Sequence, residues 1–200
     1  MNTRILALTL VLAAPLVPAQ EFPKPAKAKQ TERTAMLASL QRGKEINVRG
    51  ERYLQLPEVT AIERSVSATP EKAVASLGAA PTDIIENKGK LVVFRSPQKR
   101  ARAIERVAGA TVYPTVLNAR TGAIGVLTGM LVVKPKSMFD ADAIASSHGL
   151  QKSKAYPQLQ TVFYKVKPGA DIADVSAALQ ADPRIEIAYP EIIEHVRVPK

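Results

Sequence analysis

Few residues in this chain could do catalytic chemistry. The sequence contains two histidines, His148 and His195, and no cysteine. A serine-protease type of triad needs a Ser, a His and an Asp in contact, with the His placed as the base. We expect His148 at a helix end and His195 in the C-terminal tail, and the sequence has no Gly-x-Ser-x-Gly turn. We therefore predict that the protein is not an enzyme.

The sequence also lacks the residue patterns that are typical of metal-binding and phosphate-binding sites. No His or Cys pair has the spacing of metal ligands, and Asp140 and Asp142 fit better as acidic residues in the first turn of a helix. Gly122, Gly125 and Gly129 are not followed by the Lys-Ser/Thr pair and helix of a phosphate loop. The sequence predicts no metal and no cofactor.

The clearest pattern of secondary structure lies in residues 129–193. An alternating apolar strand ends at Pro135, and a short amphipathic helix follows, with Ser137 as its cap and Gly149 at its end. Two extended runs come next and are separated at Pro157. The order so far is strand, helix, strand, strand.

A second helix and a last strand complete this region. A Lys167-Pro168-Gly169 turn precedes Asp171, which can cap the helix, and Asp182-Pro183 ends it. The last strand begins at Ile185. This βαββαβ order predicts an α+β fold with a ferredoxin-like unit, a four-stranded antiparallel sheet and two helices.

Three short motifs in this region point to a family. They are Val166-Lys167-Pro168-Gly169 before the second helix, Asp182-Pro183 after it, and Ile187-Ala188-Tyr189-Pro190-Glu191 in the last strand. In this order and spacing they resemble the N-terminal prodomains of secreted subtilisin-like serine proteases. The resemblance covers residues 129–197, and Tyr189 stands where that family usually has an acidic residue.

The resemblance implies a partner and a way of binding it. The chain would bind a subtilisin-like serine protease in trans, as an inhibitor, a folding chaperone or both. The open face of its sheet, with Leu159, Thr161 and Phe163, would lie on two protease helices. Glu191 would cap the N-termini of those helices, with help from Glu194.

The same resemblance gives the C-terminal tail, residues 194–200, a role in the substrate cleft of the protease. Prodomains of this family end in a segment that adds as a strand in the cleft. Either Arg197 or Lys200 would fill the primary specificity pocket. Alternatively, the tail is a frayed chain end. Its residues are Glu194, His195, Val196, Arg197, Val198, Pro199 and Lys200.

The preceding region has a weaker version of the same pattern. Residues 20–45 are a Pro/Lys-rich linker and a short helix, which Thr31 or Thr34 caps, and residues 46–128 predict a degenerate copy of the C-terminal unit. In that copy a helix starts at Pro70, the turn Asn87-Lys88-Gly89 joins two strands, a second helix runs from Pro97 to Val107, and Tyr113-Pro114 corresponds to Tyr189-Pro190. The turn from Asn118 to Gly122 then leads into the C-terminal unit. We expect the first copy to act as a scaffold.

Residues 1–19 have the pattern of a signal peptide, with Arg4, a short apolar run and a Val17-Pro18-Ala19 end. We expect a secreted or periplasmic protein. The formal net charge of +10 would suggest nucleic acid as a partner of a cytosolic protein, but secretion and the scattered basic residues argue against it.

Two other interpretations stay open. One is a secreted or periplasmic ferredoxin-like module that binds a ligand or assists envelope assembly without a protease, and it predicts an apolar pocket between the two units. The other is a basic protein that binds polyanions, whose binding would collapse with added salt. Oligomeric state is not indicated by the sequence.

Overall fold

The structure is a computed structural model that describes residues 34–65, 67–96, 103–107 and 109–195. The chain divides into two compact units, Met1–Ala38 and Ser39–Lys200. Residues 34–39 form a short helix, α1. The predicted signal peptide and most of the predicted linker lie outside the described residues.

The second unit is an α+β structure in which an antiparallel sheet contains all ten strands of the described residues. Its first part, called the N-terminal half below, comprises Glu45–Asn118. The elements of this half are β1 (Glu45–Val48), β2 (Glu51–Glu63), α2 (Pro70–Ala75), β3 (Ile84–Lys88), β4 (Leu91–Arg95), β5 (Glu105–Val107) and β6 (Ala110–Asn118).

The remaining elements, from Ile124 to Ile193, are called the C-terminal half. They are β7 (Ile124–Pro135), α3 (Ala141–Ser147), β8 (Gln151–Tyr156), β9 (Thr161–Lys165), α4 (Ile172–Gln180) and β10 (Ile185–Ile193). Short 3-10 turns precede α3 and connect β8 to β9. The order of elements agrees with the predicted βαββαβ.

Strand β7 joins the two halves of the sheet. Its first residues pair with β6, Met130–Val133 pair with β9, and most of its length pairs with β10. The change of partner from β6 to β9 occurs around Gly129, whose φ is +78°. A Cβ at this position would lie 2.1 Å from Ile104 Cδ1, so the backbone conformation and the close approach both favour glycine.

The two halves have corresponding strand orders. In the N-terminal half the order is β3-β4-β2-β6, and in the C-terminal half β8-β9-β7, with β10 on the other edge of β7. In the N-terminal half β2 therefore lies between β4 and β6, and in the C-terminal half β7 lies between β9 and β10. Strand β1 pairs with β2, and β5 pairs with β6.

Capping side chains lie at three of the predicted helix starts, and two of them, Ser137 and Asp171, are the predicted capping residues. Thr69 Oγ1 accepts a hydrogen bond from Lys72 N, and Ser137 Oγ accepts one from Phe139 N. Asp171 Oδ1 accepts one from Ala173 N at 2.9 Å. Each bond satisfies an N–H group that has no partner within its own helix, which explains why these elements begin where the sequence predicts.

The predicted helix from Pro97 to Val107 is wrong in its described part. Ala103 forms an antiparallel bridge with Asp171, and Glu105–Val107 are β5, which pairs with Ala110–Val112 of β6. Gly109, with φ of +81°, allows the tight turn between these strands. Pairing with β6 satisfies the backbone groups that a helix would have satisfied locally, so tertiary context overrides the local pattern. Residues 97–102 lie outside the described residues.

Within the described residues, a larger and a smaller cluster of buried apolar side chains form cores of the fold. Leu131, Tyr164 and Ile172 are fully buried in the larger core, which also includes Ile46 and Tyr53 of the N-terminal half. The smaller core lies between α2 and its strands and consists of Ile62, Ala73, Val74, Ala79, Val92 and Phe94. The larger core therefore includes residues of both halves.

Candidate functional site

The C-terminal half buries one face of its sheet and leaves the other partly exposed. Leu131 pairs with Tyr164, and Val133 pairs with Val162, on the face that packs with Ile144 of α3. The opposite face is half-buried and is called the open face below. It includes Met130, Val132, Lys134, Thr161, Phe163 and Tyr189.

Register brings three side chains of the open face into one row. Val132 pairs with Phe163 on β9 and with Tyr189 on β10, and directly paired residues project to the same side of a sheet. Tyr156 packs edge to face against Phe163 with ring centroids 5.7 Å apart. The row is an apolar and aromatic surface on adjacent strands.

The predicted sheet-face residues differ in exposure. Leu159 is 67% exposed, and it lies in the 3-10 turn before β9 rather than in the strand. Thr161 and Phe163 lie on β9 and are half-buried. Ile187 on β10 adds a side chain that is 45% exposed and that the sequence analysis did not single out. An exposed group of large apolar side chains is typical of a surface that binds another molecule.

Tyr189 has a partner from the N-terminal half. The Arg49 guanidinium lies 4.5 Å from the centroid of the Tyr189 ring, and it also donates a hydrogen bond to the Tyr189 hydroxyl. Asn47, Gln180 and Ile187 are among the residues that line a groove of about 250 Å³ beside this pair. Both polar and apolar side chains line the groove, and it is not the apolar pocket that the ligand-binding interpretation predicts.

Glu191, the predicted capping residue, is exposed near the end of β10. The Thr128 hydroxyl donates a hydrogen bond to Glu191 Oε2 at 2.6 Å. A carboxylate has several lone pairs, so this bond leaves acceptor capacity for N–H groups of another molecule. The bond also holds the carboxylate in one orientation.

The last strand ends where the predicted tail begins. Ile192 lies close against β7, because a Cβ on Gly125 would come within 2.3 Å of Ile192 Cγ2. Glu194 follows Ile193, and His195 is exposed. Val196, Arg197, Val198, Pro199 and Lys200 lie outside the described residues.

Glu194 is held by two side chains of the N-terminal half. Lys88 Nζ donates to the Glu194 backbone carbonyl, and Asn118 Nδ2 donates to Glu194 Oε1 at 3.0 Å. Burial raises the pKa of the Tyr53 hydroxyl, and a hydrogen bond with the Glu194 carboxylate raises it further. Sequence reasoning missed both contacts: Lys88 was expected in the turn Asn87-Lys88-Gly89, but it ends β3 and is 6% exposed.

The described residues show no other chemical centre. No group of three His, Asp or Glu side chains within them is placed to hold a metal ion. None of their helices is long and apolar enough to cross a membrane. His148 bonds to Asp182 at 2.8 Å, and Asp182 also accepts from Arg184, so this histidine links the end of α3 to the start of β10.

These features define an α+β protein with a large antiparallel sheet and an open apolar face in its C-terminal half. The family model described as "Open reading frame 2 N-terminal domain" matches residues 24–197. The chain belongs to this family.

No curated protein matches the chain. Among solved structures, the chain is similar to a chain in the crystal structure of an Aeromonas sobria serine protease (ASP) and the chaperone (ORF2) complex. The match has 19% identity and a TM-score of 0.36, and it covers 49% of this chain and 99% of that chain. A TM-score of this size does not establish a common fold.

Proposed function

We propose that the protein binds a subtilisin-like serine protease in trans, through its open face and its C-terminal tail. The observation that carries the proposal is the open face of the C-terminal half. This face includes Tyr189 of β10, the strand that precedes the tail in the sequence. The prodomain-like motifs support it, because they fall on the turn before α4, the end of α4 and β10. The Aeromonas sobria complex likewise pairs a chaperone with a serine protease.

The C-terminal half would act as a ferredoxin-like unit. Its strand order β8-β9-β7-β10, with α3 and α4 as the two connections, supports this assignment. The N-terminal half, with the order β3-β4-β2-β6, would be its degenerate copy. In this copy the described residues 103–107 form a bridge and a strand where the second helix was expected.

The open face supplies the main attractive contribution. Burying apolar surface on association stabilises a complex by about 25 cal/mol per Å², less the freedom that the partners lose. Leu159, Phe163 and Ile187 provide large apolar side chains for this contact. Glu191 adds a carboxylate for the N-terminus of a partner helix.

The tail gives the complex its inhibitory effect. Residues 194–200 would add to the substrate cleft as an extended strand, and Arg197 or Lys200 would enter the primary specificity pocket. A protease bound in this way cannot accept substrate. The same contacts would stabilise the folded protease against its unfolded chain, which is how one surface serves both inhibition and folding assistance.

The proposal includes location and the absence of catalysis. With the predicted signal peptide at residues 1–19, the protein would meet its partner in the periplasm or outside the cell. It acts as a binding protein rather than an enzyme. Because the basic residues of the tail enter a pocket, the partner would cleave after Arg or Lys.

The test is incubation of the mature protein with secreted subtilisin-like serine proteases and with the Aeromonas sobria serine protease. We expect tight inhibition and a higher refolding yield of denatured protease. Deleting residues 194–200 should weaken inhibition at least about thirtyfold, since the loss of a pocket anchor costs about 2 kcal/mol or more, and should leave the domain folded. Undiminished inhibition after this deletion would rule out the tail mechanism.

A further inference from the structure

Glu194, the first residue of the tail, forms hydrogen bonds with side chains of the N-terminal half. Lys88 on β3 and Asn118 at the end of β6 both donate to Glu194. These two side chains are among the most buried polar groups of the described residues, at 6% and 1% exposure. Buried polar side chains in well-defined positions are suited to fixing another group in space.

The Lys88 ammonium constrains the backbone of Glu194. Its Nζ bonds to Glu86 Oε1 at 2.9 Å and to the Glu194 carbonyl oxygen. A buried cation without acceptors is strongly unfavourable, so both partners are needed to compensate its loss of hydration. The Glu194 carbonyl is therefore held toward β3.

Asn118 constrains the side chain of Glu194. Its Oδ1 accepts from the backbone N–H groups of Arg120 and Thr121 at 3.0 and 3.1 Å, which fixes the amide plane. Nδ2 then points at two carboxylates, Glu51 Oε2 at 2.9 Å and Glu194 Oε1 at 3.0 Å. The orientation of the donor is thus set within the turn between β6 and β7.

Two contacts, one to the backbone and one to the side chain, fix both the position and the direction of Glu194. We propose that Lys88 and Asn118 are positioning residues that aim the tail at the substrate cleft of the protease. This inference rests on the proposed function and assigns the N-terminal half its part in it. When the first residue of the tail is ordered before binding, the tail loses less conformational freedom on association. The affinity for the protease is therefore higher.

A double-mutant cycle separates this role from a general effect on the fold. It combines Lys88→Met, which keeps the length of the side chain but removes its donors, with a chain that ends at His195 and so keeps the Glu194 carbonyl in a peptide bond. We expect Lys88→Met to weaken inhibition of the protease about tenfold in the full chain and less than about twofold in the truncated chain. A difference of this size lies within the interaction energies of about 0.5–3 kcal/mol that double-mutant cycles give for coupled sites. Equal weakening in both chains would overturn the proposal.

Lys72→Met is the matched control. Lys72 is an exposed lysine of α2 in the same half, and its side chain is remote in sequence from the Glu194 contacts. We expect unchanged inhibition with Lys72→Met. A loss equal to that of Lys88→Met would show that removing any positive charge from this half weakens binding, which contradicts a specific positioning role.

A second measurement needs no protease. Amide hydrogen exchange of the free protein should be about tenfold faster at Ile193–His195 in Lys88→Met, with the amides of β7 and β9 unchanged, because local opening responds to local contacts. Glu194→Ala, on a half-buried residue, gives a smaller increase and serves if Lys88→Met does not fold. If exchange is unchanged in the folded variants, Lys88 does not position Glu194, even if inhibition is observed. If exchange is faster but the wild type inhibits no protease, Lys88 positions Glu194 and the proposed function is refuted.

Discussion

The two halves of the sheet have corresponding strand orders but differ in what surrounds them. The C-terminal half has two helices over one face, a core of fully buried large side chains and an open apolar face. The N-terminal half has the small core under α2, and its last strand turns into β7. The open apolar face thus belongs to the C-terminal half, whereas the N-terminal half supplies Lys88 and Asn118, the side chains that hold Glu194. Under the proposed function, the C-terminal half is the binding unit and the N-terminal half is its scaffold, although their strand orders correspond.

The largest expected effect concerns the two cores. Tyr164 and Phe94 are each fully buried, one in each half. Replacing either with Ala should lower the free energy of unfolding by about 3–5 kcal/mol, as for other buried aromatic residues. Tyr164→Ala should cost more, because it also removes the hydrogen bond of 2.8 Å to the Ala141 carbonyl.

Urea denaturation of the two variants measures this difference. If Phe94→Ala proves the more destabilising, the hydrogen bond of Tyr164 does not add to the cost of replacing it. Burial raises the pKa of Tyr164 to about 12, so its hydroxyl stays protonated across the pH range of the experiment.

The next effect tests the junction between the halves. Gly129→Ala places a Cβ against Ile104 in a backbone conformation with positive φ, and we expect a loss of about 1–3 kcal/mol from strain and overpacking. Gly109→Ala is the control, since it has a similar φ of +81° and no neighbour within 4 Å of the added Cβ. Thermal unfolding should show the larger loss for Gly129→Ala. Equal losses would mean that the contact with Ile104 relaxes without cost.

A smaller effect is expected on inhibition, and it distinguishes the surface of the C-terminal half from that of the N-terminal half. Phe163→Ala on the open face should weaken inhibition of the protease about tenfold, the usual size for an aromatic residue in an interface. Leu91→Ala on β4, a half-buried apolar residue of the N-terminal half, should leave inhibition within about twofold. Inhibition constants with a peptide substrate measure both. Comparable losses would assign part of the binding surface to the N-terminal half.

The smallest effect is a pH dependence in the C-terminal half. The hydrogen bond from Arg184 holds the pKa of Asp182 well below its ordinary value, and the bond from His148 lowers it further. Because the folded pKa is depressed, Asp182 contributes stability above its unfolded pKa of about 3.9 and loses it as the pH falls through the folded value.

Asp182→Asn should therefore be less stable than the wild type at neutral pH, and the difference should shrink below pH about 4. Thermal midpoints between pH 2 and 7 measure it. Asp142→Asn, at a side chain that is 81% exposed, is the control and should show no such trend. A constant difference between wild type and Asp182→Asn would contradict the assignment.

Much of the C-terminal half could be predicted because its signals are local. Ser137 and Asp171 cap helices through bonds to residues two positions away, and Asp182-Pro183 ends α4. Alternation between Val162 and Tyr164 on one side and Thr161 and Phe163 on the other identifies β9 and its faces. Such signals need no knowledge of the rest of the chain.

The features that could not be predicted depend on distant residues. Strand β5 forms because β6 offers it backbone partners, although its sequence is charged and reads as a helix. Lys88 and Asn118 meet Glu194 only because β7 brings the two halves into one sheet. No pattern around Lys88 indicates an acceptor more than a hundred residues away.

The central claim is that the C-terminal half binds a subtilisin-like protease with its tail in the substrate cleft. The most direct measurement is the inhibition of such a protease by the full mature protein as a function of peptide substrate concentration. The account predicts competitive inhibition, in which saturating substrate displaces the protein and restores full activity. Inhibition that does not depend on substrate concentration, or no inhibition of any such protease, would contradict it.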